Sequence, residues 1–168
     1  QNKSFQGKEK TRKSKSNARK GVNEKFFKEW NGDMAYVLGY FAADGCIFTN
    51  PRGSHYIEFG STDKKLIEKV KTMLDSKNKI GVRKRNKSNR KDKYVLEIGS
   101  KEMFKDLVAL GFKTNKTKDL NFPQMSEDYT SHFIRGYFDG DGCVFFKDYT
   151  EDEKNDLKIV FSTSFISF

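Results

Sequence analysis

Hydrophobic positions between residues 34 and 112 alternate between the period of a helix and the period of a strand. The first helical stripe consists of Met34, Val37, Leu38 and Phe41. Two strand-like segments, CIFTN and HYIEFGS, follow and are joined by a turn at residues 51–53. The pattern then predicts a second helix opened by a Ser61 or Thr62 cap, strands at 80–85 and in KYVLEIGS, and a third helix stopped by Gly111. The predicted order is αββαββα.

This order starts again later in the chain, because GYFAADGCIF at 39–48 aligns without gaps with GYFDGDGCVF at 136–145. The offset of 97 residues is the size of a domain and is too long for a solenoid repeat. Only a hairpin-like pair of strands fits between the second copy and Phe168, so the second repeat is expected to be truncated. We therefore predict a basic, flexible extension at 1–25, a first repeat at 26–122 and the start of a second repeat at 123–168.

The 168 residues carry a formal net charge of +10, which favours a polyanionic partner. The charge is concentrated in two runs, residues 1–20 and residues 77–93. No apolar run reaches the roughly 18 residues of a membrane span, and no signal peptide is recognisable, which favours an intracellular protein of the cytoplasm, nucleoid or an organelle matrix. The two cysteines, Cys46 and Cys143, lack the spacing of a zinc site or a disulfide framework.

Small residues recur at every fourth position within both copies of the repeated motif, so each predicted helix has a face with almost no side chains. The predicted helix interface consists of Gly39, Ala43, Gly136 and Gly140. Two such faces allow two helices to pack backbone to backbone. This packing would bring Asp44 and Asp141, the last acids of the helices, close together at two negative helix ends. A hard divalent cation such as Mg²⁺ would offset their repulsion.

The two motifs, VLGYFAADG at Val37–Gly45 and IRGYFDGDG at Ile134–Gly142, resemble the LAGLIDADG signature of homing endonucleases. The segment NKTKDLNFP at 115–123 is similar to the connector of the single-chain, two-motif members. The resemblance implies an α+β fold of αββαββα repeats with a saddle-shaped antiparallel sheet. It also implies a Mg²⁺-dependent DNA endonuclease, encoded in an intron or intein, that makes double-strand cuts in a long, nearly palindromic site.

The same resemblance suggests roles for individual residues. Asp44 and Asp141 would be the catalytic acids and, with Gly45 and Gly142, would form the metal site. Lys116 of the connector would support the nucleophile or the transition-state charge, with Lys118 as the alternative. Asp139 stands where the first motif has Ala42, so it is given no catalytic part.

The hairpins of the predicted sheet supply the expected contacts with double-stranded DNA, through base edges and phosphates. The candidates are Thr49, Asn50, Arg52, His55, Arg83, Arg85, Lys87, Arg90 and Lys93. A complete second repeat would make the protein a pseudo-dimeric monomer, whereas a truncated one would favour a dimer.

Other functions remain open from the residues alone. The same fold serves RNA-binding splicing maturases, whose partner is intron RNA, and DNA-binding regulators that do not cleave. A protein that coats nucleic acid by charge alone would show no sequence preference and a steep dependence on salt. An EF-hand is excluded, since Cys143 and Val144 replace its third ligand and its glycine.

Overall fold

The computed structural model of the protein describes residues 21–85, 91–114, 122–147 and 156–160. The elements in chain order are α1 (Gly32–Asp44), β1 (Cys46–Thr49), β2 (His55–Ser61), α2 (Lys64–Met73), β3 (Ile80–Arg83), β4 (Lys93–Gly99), α3 (Lys101–Ala109), α4 (Glu127–Asp141), β5 (Cys143–Lys147) and β6 (Asp156–Val160). The first seven confirm the predicted α+β class and the order αββαββα, and the last three repeat the first three.

Strands β1 to β4 form an antiparallel sheet with the spatial order β1-β2-β4-β3. Its core side carries Ile57 and Phe59 of β2 beside Ile98 and Leu96 of β4, each at most 1% exposed. The sheet residues of the hydrophobic core all lie on this side, together with residues of α1, α2 and α3. We call the opposite side, which carries polar and charged groups, the open face; it includes Phe48, Tyr56, Glu58, Arg83, Lys93 and Glu97.

Strands β5 and β6 form a separate antiparallel hairpin, in which Val144 lies opposite Ile159. Among the described residues, no helix combines the length and the hydrophobicity needed to cross a membrane.

Side-chain caps begin the helices of the first repeat. Asn31 Oδ1 accepts from Met34 N at 2.8 Å in α1, and Ser100 Oγ accepts from Met103 N at 3.3 Å in α3. The predicted cap of α2 was wrong. Asp63 caps this helix by accepting from Lys65 N, whereas Ser61 Oγ accepts from Asp63 N and shapes the turn before it. The Asp63 carboxylate thus satisfies the backbone N–H group of Lys65 in the first turn.

Helix α1 is buried on nearly all sides because it lies between the sheet and α4. Its Tyr40 hydroxyl donates to the carbonyl oxygen of Gly60 in β2 at 3.1 Å, which ties the helix to the sheet. On its other side, glycines allow α4 to approach the backbone of α1 directly. A Cβ atom on Gly39 would overlap the carbonyl oxygen of Phe133, and one on Gly136 would overlap that of Tyr36.

These contacts advance in the same direction along both helices. Tyr36 lies beside Gly136, and Ala43 lies beside Gly140, where an added Cβ would come within 2.5 Å of the Ala43 Cβ. Helices α1 and α4 are therefore parallel, and their C-terminal ends lie next to each other. Each helix passes straight into a strand through an extended glycine, Gly45 or Gly142.

The close approach of the two helices makes a quantitative prediction. We expect Gly136→Ala to lower the free energy of unfolding by at least about 2 kcal/mol, because backbone atoms of α1 cannot move away from the added methyl group without separating the helices. The measurement is urea unfolding at equilibrium.

The matched control is Gly81→Ala, where the nearest atom to an added Cβ lies 3.8 Å away. We expect this variant to unfold at nearly the wild-type urea concentration. Equal midpoints for the two variants would contradict the proposed crossing.

Candidate functional site

Two aspartates end the packed helices. Asp44 is the last residue of α1 and is half-buried, and Asp141 is the last residue of α4 and is exposed. Each directly follows a residue of the helix contact, Ala43 or Gly140. Because the helices are parallel, the two carboxyl groups belong to the same end of the pair.

The shape of each helix end comes from an aromatic residue one turn earlier. Gly45 N donates to the carbonyl oxygen of Phe41 at 2.8 Å, and Gly142 N donates to that of Phe138 at 2.7 Å. A Cβ on either glycine would overlap the ring of the same phenylalanine. The glycine that follows each aspartate is thus required by the packing of a ring, and both motifs repeat the arrangement.

Negative charge accumulates at this end of the helix pair. The carbonyl ends of two parallel helices carry partial negative charge, to which the two carboxylates add. At Tyr40, one turn before Asp44, burial and next the charge of Asp44 raise the pKa of the hydroxyl above its ordinary value. A cation at the helix ends would be favoured by this field.

The donors at this end suit Mg²⁺, which prefers oxygen ligands, keeps several waters and binds through one or two carboxylates plus substrate phosphates. Asp44 and Asp141 provide two carboxylates, and the backbone of Gly45 and Gly142 directly follows them at the same helix ends. Within the described ranges, no group of three or more His, Cys, Asp or Glu side chains forms a cluster of metal ligands. Two carboxylates at one helix end fit a divalent cation that is completed by water and phosphate oxygens.

The predicted basic residue of the site, Lys116, and its alternative, Lys118, lie outside the described residues. Lys87 and Arg90 of the predicted DNA-binding set also lie outside them.

The other predicted DNA-binding residues fall on different parts of the sheet. Arg83 and Lys93 are opposite each other on the open face. Thr49 and His55 pair one position away from Phe48 and Tyr56, so they belong to the core side.

Side-chain contacts hold Thr49 and His55 on the core side of the sheet. Thr49 Oγ1 and His55 Nδ1 are 3.0 Å apart, and the His55 ring stacks on Phe104 of α3 with centroids 4.4 Å apart. His55 therefore supports the third helix, a role that the alternation pattern did not indicate.

The turn between β1 and β2 contains two more candidates. Asn50 Oδ1 accepts from the backbone N–H groups of Arg52 and Ser54 at 3.0 and 2.9 Å, which shapes the turn. Arg52 is exposed at the tip of this turn, and Arg85 is exposed just beyond β3. Both arginines are accessible to a large anionic partner.

An ionic cluster not foreseen from the sequence joins α4 to the first repeat. The buried Tyr36 of α1 donates its hydroxyl to Asp139 Oδ2 of α4. Lys69 of α2 lies 3.7 Å from the same carboxylate oxygen and 3.8 Å from the centre of the Tyr36 ring. The Arg135 guanidinium lies 5.1 Å from that ring. Burial and the bond to Asp139 raise the pKa of the Tyr36 hydroxyl, so it remains a donor.

This geometry explains the extra acid of the second motif. Asp139 stands where the first motif has Ala42, and that difference was the one visible signal in the sequence. Its partners are on α1 and α2, so its role in the structure is to hold the second motif helix against the first repeat.

Two parallel helices cross at glycines, each helix ends in an acid, and an antiparallel sheet packs against one of them. This arrangement defines a class of α+β domain. The family model of the LAGLIDADG-like domain matches residues 31–110. The matched stretch contains the first of the two motifs and is similar to that domain.

Comparison with individual proteins gives more distant similarities. An uncharacterized protein of Methanocaldococcus jannaschii is 29% identical over 120 residues, which cover 67% of this chain and 39% of that protein. The DNA complex of the LAGLIDADG homing endonuclease I-GzeII is 10% identical, with a TM-score of 0.48, over 78% of this chain and 65% of that chain. The homing endonuclease I-WcaI, bound to its DNA recognition sequence, is 17% identical, with a TM-score of 0.48, over 78% and 61%. The chain thus spans less than two thirds of the length of these proteins.

The ionic cluster leads to a test by double-mutant cycle. We expect Tyr36→Phe and Asp139→Ala each to destabilise the protein, with a coupling energy of about 1 kcal/mol because they share one hydrogen bond. The measurement is urea unfolding of the wild type, both single variants and the double variant.

The control cycle pairs Tyr36→Phe with Asp128→Ala, near the other end of α4. Its two effects should add. Additive effects for Tyr36 and Asp139 would show that the hydrogen bond between them does not form.

Proposed function

We propose that the chain is a site-specific, metal-dependent DNA endonuclease that makes double-strand cuts in a long, nearly palindromic site. The observation that carries the proposal is the parallel crossing of α1 and α4, which puts Asp44 and Asp141 at one end of a helix pair. Two acids at two negative helix ends oppose folding, and a bound cation would offset that cost. The gene, in this proposal, lies in an intron or intein, as the family resemblance implies.

In this proposal, Asp44 and Asp141 would hold Mg²⁺, with backbone of Gly45 and Gly142 beside them. When bound, Mg²⁺ supplies charge stabilisation at a phosphodiester and lowers the pKa of bound water. The protein's own part is to keep the carboxylates at fixed positions, which the backbone-to-backbone crossing supports. Lys116 stays a prediction for the basic residue of the reaction.

The open face would lie in a groove of double-stranded DNA. The net charge of +10 favours a polyanion, and the exposed Arg52 and Arg85 stand at two loops of the sheet. Contacts with phosphates would fix the position of the protein, and contacts with base edges would supply sequence preference.

The proposal is tested by cleavage. We expect Asp44→Asn and Asp141→Asn each to reduce magnesium-dependent cutting by at least about a hundredfold, because each removes a charge from the metal site. The substrate is a plasmid library of random and intron-insertion sequences, and the readout is the rate of linearisation.

Asp33→Asn, in the first turn of α1, is the matched control, since it removes an acid from the opposite end of the same helix. It should cut at the wild-type rate. Sequence-specific binding by the wild type without any cutting would instead favour a regulator or, if the bound species is RNA, a splicing maturase.

A second prediction concerns phosphate contacts. We expect Arg85→Ala to weaken binding to all DNA sequences alike and to reduce the slope of log affinity against log salt by about 0.9, the value for one lost phosphate contact. The measurement is fluorescence anisotropy of labelled duplexes over a series of salt concentrations.

Lys105→Ala is the control, because Lys105 is an exposed cation of α3, which packs on the core side of the sheet. Its removal should leave the slope unchanged. Equal slopes for the wild type and the Arg85 variant would rule out a phosphate contact at Arg85.

A further inference from the structure

Arg83 is on the open face, but its guanidinium already has a partner within the protein. Its Nη1 donates to Glu58 Oε1 at 2.7 Å and its Nη2 donates to Glu58 Oε2 at 2.5 Å. Strand β4 separates β3 from β2, so the Arg83 side chain passes over β4 to reach Glu58. This bond raises the pKa of the arginine further. Arg83 is therefore a fixed group and differs from the free side chain expected of a phosphate contact.

The two acids near Arg83, Glu58 and Glu97, are unexpected on a surface that would bind a polyanion. Glu58 and Glu97 occupy directly opposite positions on β2 and β4, where like charges destabilise a sheet. Arg83 offsets the repulsion, since its Nη2 lies 3.9 Å from Glu97 Oε2 as well. Strand pairing alone would be served better by two apolar residues.

The three side chains differ in accessibility, and the difference suggests a division of roles. The Glu58 side chain is 10% exposed, whereas those of Arg83 and Glu97 are 56% and 46% exposed. Glu58 is the inner group that anchors the guanidinium. Arg83 and Glu97 present a donor edge and an acceptor side by side at the surface.

A guanidinium beside a carboxylate would discriminate between the phosphates and the base edges of a DNA duplex. A phosphate offers acceptors only, so the Glu97 carboxylate would repel it. A G·C pair offers N7 and O6 of guanine as acceptors and the N4 amino group of cytosine as a donor, side by side in the major groove. The guanidinium keeps free N–H groups for guanine after two are bound by Glu58, and Glu97 accepts from cytosine.

We propose that Arg83 and Glu97, with Arg83 anchored by Glu58, read one G·C base pair in the major groove and set the sequence preference at that position. The proposal rests on the proposed function, because it requires that the open face binds double-stranded DNA. Arg83 and Glu97 are thereby specificity-determining residues, and Glu58 is a positioning residue.

The test is a selection of bound duplexes from a pool with a randomised core, followed by affinity measurements on the selected sites. The wild-type chain should select sites that share one strongly preferred G·C pair. The preference for this pair should fall about tenfold in Arg83→Lys, because lysine keeps the charge but lacks the planar fork. The preference at all other positions should stay unchanged.

Glu97→Gln gives an independent result, since this side chain is 46% exposed and the amide has nearly the same shape as the carboxylate. The amide donates as well as accepts, so the requirement for cytosine at the same position should relax. Loss of one negative charge should also raise affinity for every sequence. The control is Glu102→Gln, an exposed acid of α3 on the core side of the sheet, which should keep the wild-type preference.

Three outcomes would overturn the proposal, and they are separable. If both variants keep the wild-type preference at every position, the base-reading role is wrong and the proposed function stands. If Arg83→Lys lowers the melting temperature but leaves the preference intact, the cluster is an ion pair that only stabilises the sheet. If the wild type selects no sequence at all, the base-reading role and the proposed function are both wrong.

Discussion

The backbone contact between α1 and α4 is the interaction on which the rest of the structure depends. It requires Gly39 and Gly136, because a methyl group at either position would overlap a carbonyl oxygen of the other helix. The contact makes α1 an interior helix, with the sheet on one side and α4 on the other. It also restricts the relative position of Asp44 and Asp141, since each is the next residue in the sequence after a residue of the contact. Packing and the candidate chemistry thus share one geometric requirement.

The elements and the helix interface could be predicted from the sequence because both depend on local spacing. Apolar residues at helical spacing identified α1, and small residues at every fourth position identified the face that meets α4. The cap of α2 was misassigned because Ser61, Thr62 and Asp63 are adjacent and all able to cap. Propensity could not choose among them, whereas the geometry of the preceding turn does.

What could not be predicted depends on strand order and on contacts between distant elements. His55 was expected to face DNA, but alternation along β2 does not say which side α3 covers. Glu58 binds Arg83 only because β4 lies between their strands in the order β1-β2-β4-β3. The partners of Asp139 come from α1 and α2, which no spacing rule connects to α4. A charge run likewise shows how many cations are present without showing which are already paired.

The two motifs, nearly identical in sequence, occupy unequal environments. The first lies within α1, where Ala42 is half-buried, and the second lies within α4, where the corresponding Asp139 is exposed enough to bind Lys69. An acid at position 42 would gain no comparable solvation, since α1 is enclosed by the sheet and α4. The same inequality extends to the ends of the helices, with Asp44 half-buried and Asp141 exposed. The pseudo-symmetry of the repeat therefore holds for the helix crossing, which needs glycine on both sides, and relaxes where α4 is more exposed than α1.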